Sequence, residues 1–210
     1  MTELRTEIAA ERTEFARTLA GLTDEQWDAP TLCAGWRVRE VVAHMTLPFR
    51  MSLPGFVLGI LRDRGNFNRM SDRLARRDTA RLSAADLVRC LEDNAHHPWK
   101  PPGGGYEGAL THDLVHSLDI TVPLGIDQRL PDERLRVLTA MDVPRGLRFF
   151  GVDLTGVQLR ADDLDWTFGT GEPLCGSAQD LALVVFGRTL PVGRLRGAAA
   201  ARFTTPPTMR

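Results

Sequence analysis

The sequence predicts an α+β fold, with a helical bundle over residues 1–150 and a small sheet-plus-helix unit over residues 151–210. In the first part, apolar residues return every three or four positions between charged ones, which is the spacing of amphipathic helices. Beyond residue 150 apolar and polar residues alternate, as they do in half-exposed strands. A chain of 210 residues has room for one full domain with a small addition.

Four amphipathic segments predict the core of the bundle. The first helix is expected over residues 2–21, and the capping signal at Thr23 opens a short helical turn after it. The next helix follows Trp36, and Pro48 is expected to kink or end it. Ser83 caps a further helix, and the last one contains residues 107–122. Each of these helices has one apolar face, so a four-helix core is predicted.

The C-terminal unit is predicted to contain a small sheet and one helix. Strands are expected over residues 157–160 and 165–168, where apolar and polar side chains alternate. The Gly169-Thr170-Gly171 turn then indicates a hairpin into a third strand. Ser177 caps the final helix, whose apolar run suits packing on the sheet.

The balance of acidic and basic residues argues against partners that are bound through a strong overall electrostatic field. The 26 basic and 27 acidic residues give a net charge of −1, so neither a nucleic acid nor a membrane partner is expected. The N-terminus shows no secretory pattern, and the uncharged apolar stretch 51–61 is too short to span a bilayer. We therefore expect a cytoplasmic protein with a small-molecule partner.

The three cysteines are too few and too widely spaced for a disulfide framework or a zinc knuckle. They are Cys33, Cys90 and Cys175. Small buried hydrophobic residues are the expected role of all three, and a reactive thiol is the alternative.

Three histidines form a candidate metal site. His112 and His116 are four residues apart in the predicted helix 107–122, so their imidazoles share one face and can converge on one ion. His44 lies beside the apolar stripe of the helix after Trp36 and is expected to point into the bundle. Three protein ligands and one open position are typical of a catalytic zinc site. The alternative is that each histidine is a hydrogen-bonded core residue.

The residue beside His112 argues against one class of metalloenzyme. A metalloprotease of the His-Glu-x-x-His type needs glutamate as general base at position 113, where this chain has Asp113. Asp113 and Asp119 are instead candidates to accept the second ring N–H of a histidine ligand.

Other polar residues have weaker functional assignments. The arginine-rich stretch 62–81 is expected to be a solvated helix face, and a carboxylate-binding cluster is the alternative. Trp36 is expected in the core, and His96 and His97 in a loop. The arginines considered for a substrate carboxylate are Arg77, Arg81, Arg148 and Arg188.

The run from Cys33 to His44, CAGWRVREVVAH, resembles the Gly-Trp and (Asp/Glu)-Val-Val-Ala-His signature of the mycothiol-dependent maleylpyruvate isomerase family. That family is part of the DinB-like metal-binding superfamily. Residues 163–171, with Gly187 and Arg188, resemble its C-terminal segment. The resemblance implies a DinB-like four-helix bundle that holds a divalent metal, usually zinc, with His44 as the first ligand and His116 as the last.

The middle ligand position differs from the isomerase, which has a glutamate where this chain has His112. A histidine there recurs in the wider superfamily. The resemblance implies a metal- and mycothiol-dependent isomerase or thiol transferase that acts on a small electrophile. A metal-dependent hydrolase on the same site and a non-catalytic, stress-associated metal- or ligand-binding protein remain alternatives. Catalytic and cofactor-binding residues beyond the metal ligands, and the oligomeric state, are not assigned.

Overall fold

The computed structural model describes residues 2–205, which divide between Ile120 and Thr121 into two compact units. The predicted boundary lies near residue 150, and the structure divides the chain earlier than that. The difference arises because the two helices before residue 150 pack on the last helix of the C-terminal unit. Their apolar faces complete the core of that unit.

The first unit is helical. Its elements are α1 (Thr2–Ala20), α2 (Asp24–Trp27), α3 (Val38–Arg50), α4 (Leu53–Arg62), α5 (Phe67–Thr79), α6 (Ala84–Asp93) and α7 (Gly105–Thr121). Helix α3 packs on α5 and α6, and α1 packs on α6. Leu19, Val41 and Leu110 are fully buried between these helices. The amphipathic spacing therefore predicts the helical core correctly.

The capping signals act as the sequence predicts. The Thr23 side chain accepts a hydrogen bond from the Gln26 backbone N–H, and the Gln26 side chain accepts one from the Thr23 backbone N–H. Ser83 makes the same reciprocal pair at the start of α6. Pro48 lies inside α3, and the helix ends at Arg50.

The second unit combines short helices and strands. Its elements after α7 are α8 (Asp132–Thr139), α9 (Val143–Phe150), β1 (Val157–Ala161), β2 (Thr167–Gly169), β3 (Glu172–Gly176), α10 (Ala178–Val185), β4 (Leu190–Pro191), a 3-10 turn (Ala200–Arg202) and β5 (Thr204–Thr205). Strands β4 and β5 pair in parallel. Leu181 and Leu183 of α10 are fully buried, and α10 contacts α8, α9 and β1.

The three-stranded sheet has the order β2-β1-β3, so the predicted hairpin between β2 and β3 is wrong. Strand β1 pairs antiparallel with β2 and parallel with β3, and Leu159 lies opposite both Phe168 and Leu174. The chain crosses the end of β1 at Gly171, which has φ +128°. A Cβ atom there would collide with the carbonyl group of Gly156, so only glycine permits this crossing.

We predict that residues 151–210 alone will not fold cooperatively. Their helix α10 buries its apolar residues against α8 and α9 as well as the sheet, and that fragment lacks both helices. Three short strands and one helix bury too little surface to offset the loss of chain entropy. Thermal unfolding followed by circular dichroism is the measurement. A cooperative transition in the 151–210 fragment would contradict the prediction. Fragment 121–210, which keeps α8 and α9, is the matched comparison.

Among the described residues, no helix combines the length and the apolar character that crossing a bilayer requires.

Candidate metal centre

The start of helix α3 is fixed by an arginine–glutamate pair, and this sets the position of His44. Glu40 accepts hydrogen bonds from the Arg37 backbone N–H and from its guanidinium, at 2.9 and 2.6 Å. Burial of Glu40 works to raise its pKa, but the hydrogen bonds from Arg37 outweigh it and hold the pKa below its usual value. His44 follows one helical turn later on the inner side of α3.

The structure brings the three predicted histidines together. The Nε2 atoms of His44 and His112 are 3.3 Å apart. The ring centroid of His116 lies 5.0 Å from that of His44 and 4.7 Å from that of His112. The three rings each offer one nitrogen within 4.8 Å of the others, a group that could hold a metal ion.

His112 is oriented by a buried ion pair. Its Nδ1 lies 3.0 Å from Oδ1 of Asp113, and the other oxygen of Asp113 accepts a hydrogen bond of 2.7 Å from Arg12 Nε. The Arg12 and Asp113 side chains are 0% and 2% exposed. A second guanidinium nitrogen of Arg12 donates to backbone carbonyls of the loop after α6, including that of His97 at 3.0 Å. Arg12 thus connects α1, this loop and the histidine cluster.

His116 is oriented by a second buried carboxylate. Its Nδ1 lies 2.9 Å from Oδ2 of Asp119, whose side chain is 0% exposed. The Cys33 thiol donates to the same oxygen at 3.0 Å. Both aspartates that the sequence offers as histidine partners therefore contact a ring nitrogen, one for each histidine of α7.

Two tryptophans lie against the cluster. The ring of Trp36 is 5.2 Å from that of His44, and the ring of Trp99 is 5.1 Å from that of His112. Trp36 also donates from Nε1 to Asp72 at 2.8 Å. The indoles give the histidines apolar neighbours, so Trp36 is both a packing residue and a wall of the candidate site.

The donor set fits a divalent ion of the zinc class. Two imidazole nitrogens that bind one ion tetrahedrally at 2.0–2.1 Å are about 3.3–3.4 Å apart, from bond lengths alone. The Nε2 atoms of His44 and His112 are 3.3 Å apart. A carboxylate at Nδ1 also holds the proton there and leaves the Nε2 lone pair for an ion. Both features favour metal binding over three unrelated core histidines.

The four predicted arginines are divided between the two units. Arg77 is exposed and pairs with Asp78 at 2.7 Å, and Arg81 is exposed. Most neighbouring arginines of α5 also pair with aspartates, which supports the predicted helix face. Arg148 and Arg188 lie in the second unit, where Arg188 donates to the Phe186 carbonyl at 2.9 Å.

His96 and His97 lie in a loop, as predicted, beside a different cavity. This cavity of about 670 Å³ is lined by α1 residues and by both loop histidines, and its described lining contains none of the three clustered histidines. Burial and the charge of Arg12 lower the pKa of His97. The His97 Nδ1 accepts a hydrogen bond from the Trp99 backbone N–H at 3.2 Å, so the loop is held by its own contacts.

Sequence reasoning missed Arg12 and assigned Cys33 the wrong environment. Cys33 is partly exposed and contacts Asp119 and His116, so it is not simply a buried hydrophobic residue. Cys90 and Cys175 are partly exposed as well. Arg12 occupies an inward position of α1, where the helical period places apolar residues. An arginine at such a position is unusual, and this is the sequence feature that could have indicated its buried role.

The N-terminal part of the chain is similar to a known domain. Residues 8–103 match the model of the mycothiol maleylpyruvate isomerase N-terminal domain. No curated protein matches the chain. Among solved structures, a point mutant of the mycothiol-dependent maleylpyruvate isomerase is similar with a TM-score of 0.59 at 15% identity. The alignment covers 98% of this chain and 94% of that one.

A second crystal structure of the mycothiol-dependent maleylpyruvate isomerase has a TM-score of 0.53 at 13% identity, with the same coverage of 98% and 94%. These likenesses confirm the predicted DinB-like α+β fold over nearly the whole chain. The match of residues 8–103 to the mycothiol maleylpyruvate isomerase N-terminal domain agrees with the resemblance that the signature between Cys33 and His44 carries.

Proposed function

We propose that the chain is a metal- and mycothiol-dependent isomerase or thiol transferase that acts on a small electrophilic substrate. The divalent ion, zinc by preference, is held by His44, His112 and His116. The observation that carries the proposal is the approach of His44 Nε2 to His112 Nε2 at 3.3 Å while His112 Nδ1 contacts a buried carboxylate. The family of residues 8–103 and the two structural neighbours support the mycothiol assignment.

A divalent ion with an open position supplies a positive charge that keeps a bound thiol in its thiolate form near neutral pH. The surrounding residues prepare the ligands for this role. Asp113 and Asp119 hold the Nδ1 protons of His112 and His116 and fix the direction in which each Nε2 points. The Arg12 guanidinium places a compensating positive charge 2.7 Å from the buried Asp113 carboxylate.

The proposed reaction needs no nucleophile from the protein. The attacking sulfur arrives with the cosubstrate and adds to an electrophilic double bond of the substrate. Rotation about the resulting single bond and elimination of the same thiol then give the isomer, with no net use of thiol. Trp36 and Trp99 pack against the rings of His44 and His112 and give the candidate site apolar sides.

We predict that mycothiol binds the metal-loaded protein and not the metal-free protein. In cobalt-substituted protein carrying Cys33→Ser, added mycothiol should produce a thiolate–cobalt charge-transfer band, because the added thiol is then the sulfur nearest the ion. The same addition to the Cys33→Ser/His44→Ala double variant is the control and should give no band. Absence of a band at millimolar mycothiol would contradict the thiol mechanism and favour a water-activating hydrolase.

Turnover separates an enzyme from a binding protein. Maleylpyruvate is the first electrophile to test, with and without mycothiol, because the structural neighbours are named for its isomerisation. The Cys90→Ser/Cys175→Ser double variant should keep its turnover, since the nucleophile comes from the cosubstrate. Loss of turnover in that variant, with the fold retained, would place the nucleophile on the protein.

A further inference from the structure

The loop that carries Cys33 is held rigidly between α2 and α3. The Thr31 backbone N–H donates to the Trp36 carbonyl at 3.1 Å, and the Trp36 N–H donates to the Cys33 carbonyl at 3.0 Å. Gly35 takes the left-handed conformation that closes this turn, with φ +78°. The position of the Cys33 thiol is therefore fixed by backbone hydrogen bonds on both sides of it.

The same loop is attached to helix α7 next to the histidine cluster. The Leu32 backbone N–H donates to the Asp119 carbonyl at 3.0 Å. This contact places Cys33 Sγ 3.0 Å from Asp119 Oδ2 and 3.9 Å from His116 Nδ1. Three atoms that bind metals, one each from Cys33, His116 and Asp119, thus lie within 4.8 Å of one another.

The spacing of these atoms approaches that of ligands on one ion. With the usual bond lengths to zinc, neighbouring ligand atoms of a tetrahedral site are separated by about 3.3 Å for nitrogen and oxygen and about 3.5 Å when one is sulfur. The observed separations are 2.9 Å for His116 Nδ1 and Asp119 Oδ2, 3.0 Å for Cys33 Sγ and Asp119 Oδ2, and 3.9 Å for Cys33 Sγ and His116 Nδ1. Small side-chain rotations suffice to equalise them.

The charges also suit a cation. An ionised carboxylate only accepts hydrogen bonds, so the two contacts to Asp119 Oδ2 use one proton on sulfur and one on Nδ1. With both sites filled, an ion that replaces both protons leaves the net charge of this group unchanged and makes His116 an imidazolate. With the first site empty, the Nδ1 proton moves to Nε2 and only the thiol proton is released. The set of one thiolate, one imidazole and one carboxylate favours thiophilic ions, because sulfur selects them over magnesium or calcium.

We propose that Cys33, His116 and Asp119 form a second metal site for a thiophilic divalent ion, and that it shares His116 with the first site through the opposite ring nitrogen. Occupation of both sites makes His116 a bridge between two ions. This site needs neither mycothiol nor turnover, so it goes beyond the proposed function. It also predicts that the protein binds a metal through its own sulfur before any thiol is added.

The test uses cobalt alone on the full-length, metal-free protein purified without an affinity tag. Cobalt in excess is expected to give a thiolate–cobalt charge-transfer band without added thiol, at a stoichiometry approaching two ions per chain. The band should vanish in Cys33→Ser and persist in Cys90→Ser, a matched cysteine of similar partial exposure in the same unit. Circular dichroism verifies that both variants fold.

The His44→Ala variant separates this proposal from the proposed function. It removes a ligand of the first site alone, so its thiolate–cobalt band should persist while one equivalent of cobalt is lost. Asp119→Asn should lower the affinity for the cobalt ion that gives the band at least tenfold, because an amide oxygen is a weaker ligand than a carboxylate. Absence of a thiol-free band in the unmodified protein, or an unchanged band in Cys33→Ser, would overturn the second site and leave the mycothiol tests untouched.

Discussion

Replacing His116 by alanine is expected to weaken metal binding by about two orders of magnitude or more, since loss of an outer partner alone costs 10–100-fold. His116 offers a ring nitrogen within 4.8 Å of ligand atoms from His44 and His112. Removing one of three ligands leaves an incomplete site that water must fill. The measurement is competition with a chromophoric chelator, together with elemental analysis of protein purified without a tag.

Two variants make the His116→Ala result specific. His96→Ala removes the same side chain from an exposed loop position and should bind metal as the unmodified protein does. His112→Ala should abolish the first site, while the ligands contributed by Cys33 and Asp119 stay in place. An unchanged affinity in His116→Ala, or negligible metal in the reconstituted unmodified protein, would end the metal proposal.

The Arg12→Met variant is expected to lose about 3–5 kcal/mol of unfolding free energy, because it leaves a buried carboxylate without its cation. The Arg12 and Asp113 side chains are 0% and 2% exposed, so solvent does not screen their interaction. The exposed pair of Arg196 and Asp162, at 64% and 41%, provides the matched control. Arg196→Met should change stability by less than about 1 kcal/mol. Urea unfolding followed by circular dichroism measures both.

A double variant tests whether the ion pair also positions His112. Arg12→Met with Asp113→Asn removes both charges, so it should be more stable than Arg12→Met alone. Its metal affinity should still fall by about 10–100-fold, because an amide orients the His112 ring less firmly than a carboxylate does. Recovery of stability together with unchanged metal affinity would show that the pair is purely structural.

The candidate site was predictable where ligands are close in sequence or follow a family signature. His112 and His116 are one helical turn apart, and any helix over this stretch places them on one face. The residues that support them come from distant parts of the chain. Arg12 lies in α1, and Cys33 reaches Asp119 only because its loop binds α7. No local pattern encodes such contacts, since each depends on how helices pack.

The sequence alone determined the helices, their caps and the α+β class, because these follow from periodicity and from hydrogen bonds between residues three or four apart. The tertiary structure decided which elements share a core. It joined α8 and α9 to the C-terminal unit and placed β3 parallel to β1, with a crossing at Gly171. It also paired Arg12 with Asp113. The physical reason is that burial and ion pairing depend on contacts between residues distant in sequence, which local preferences do not specify.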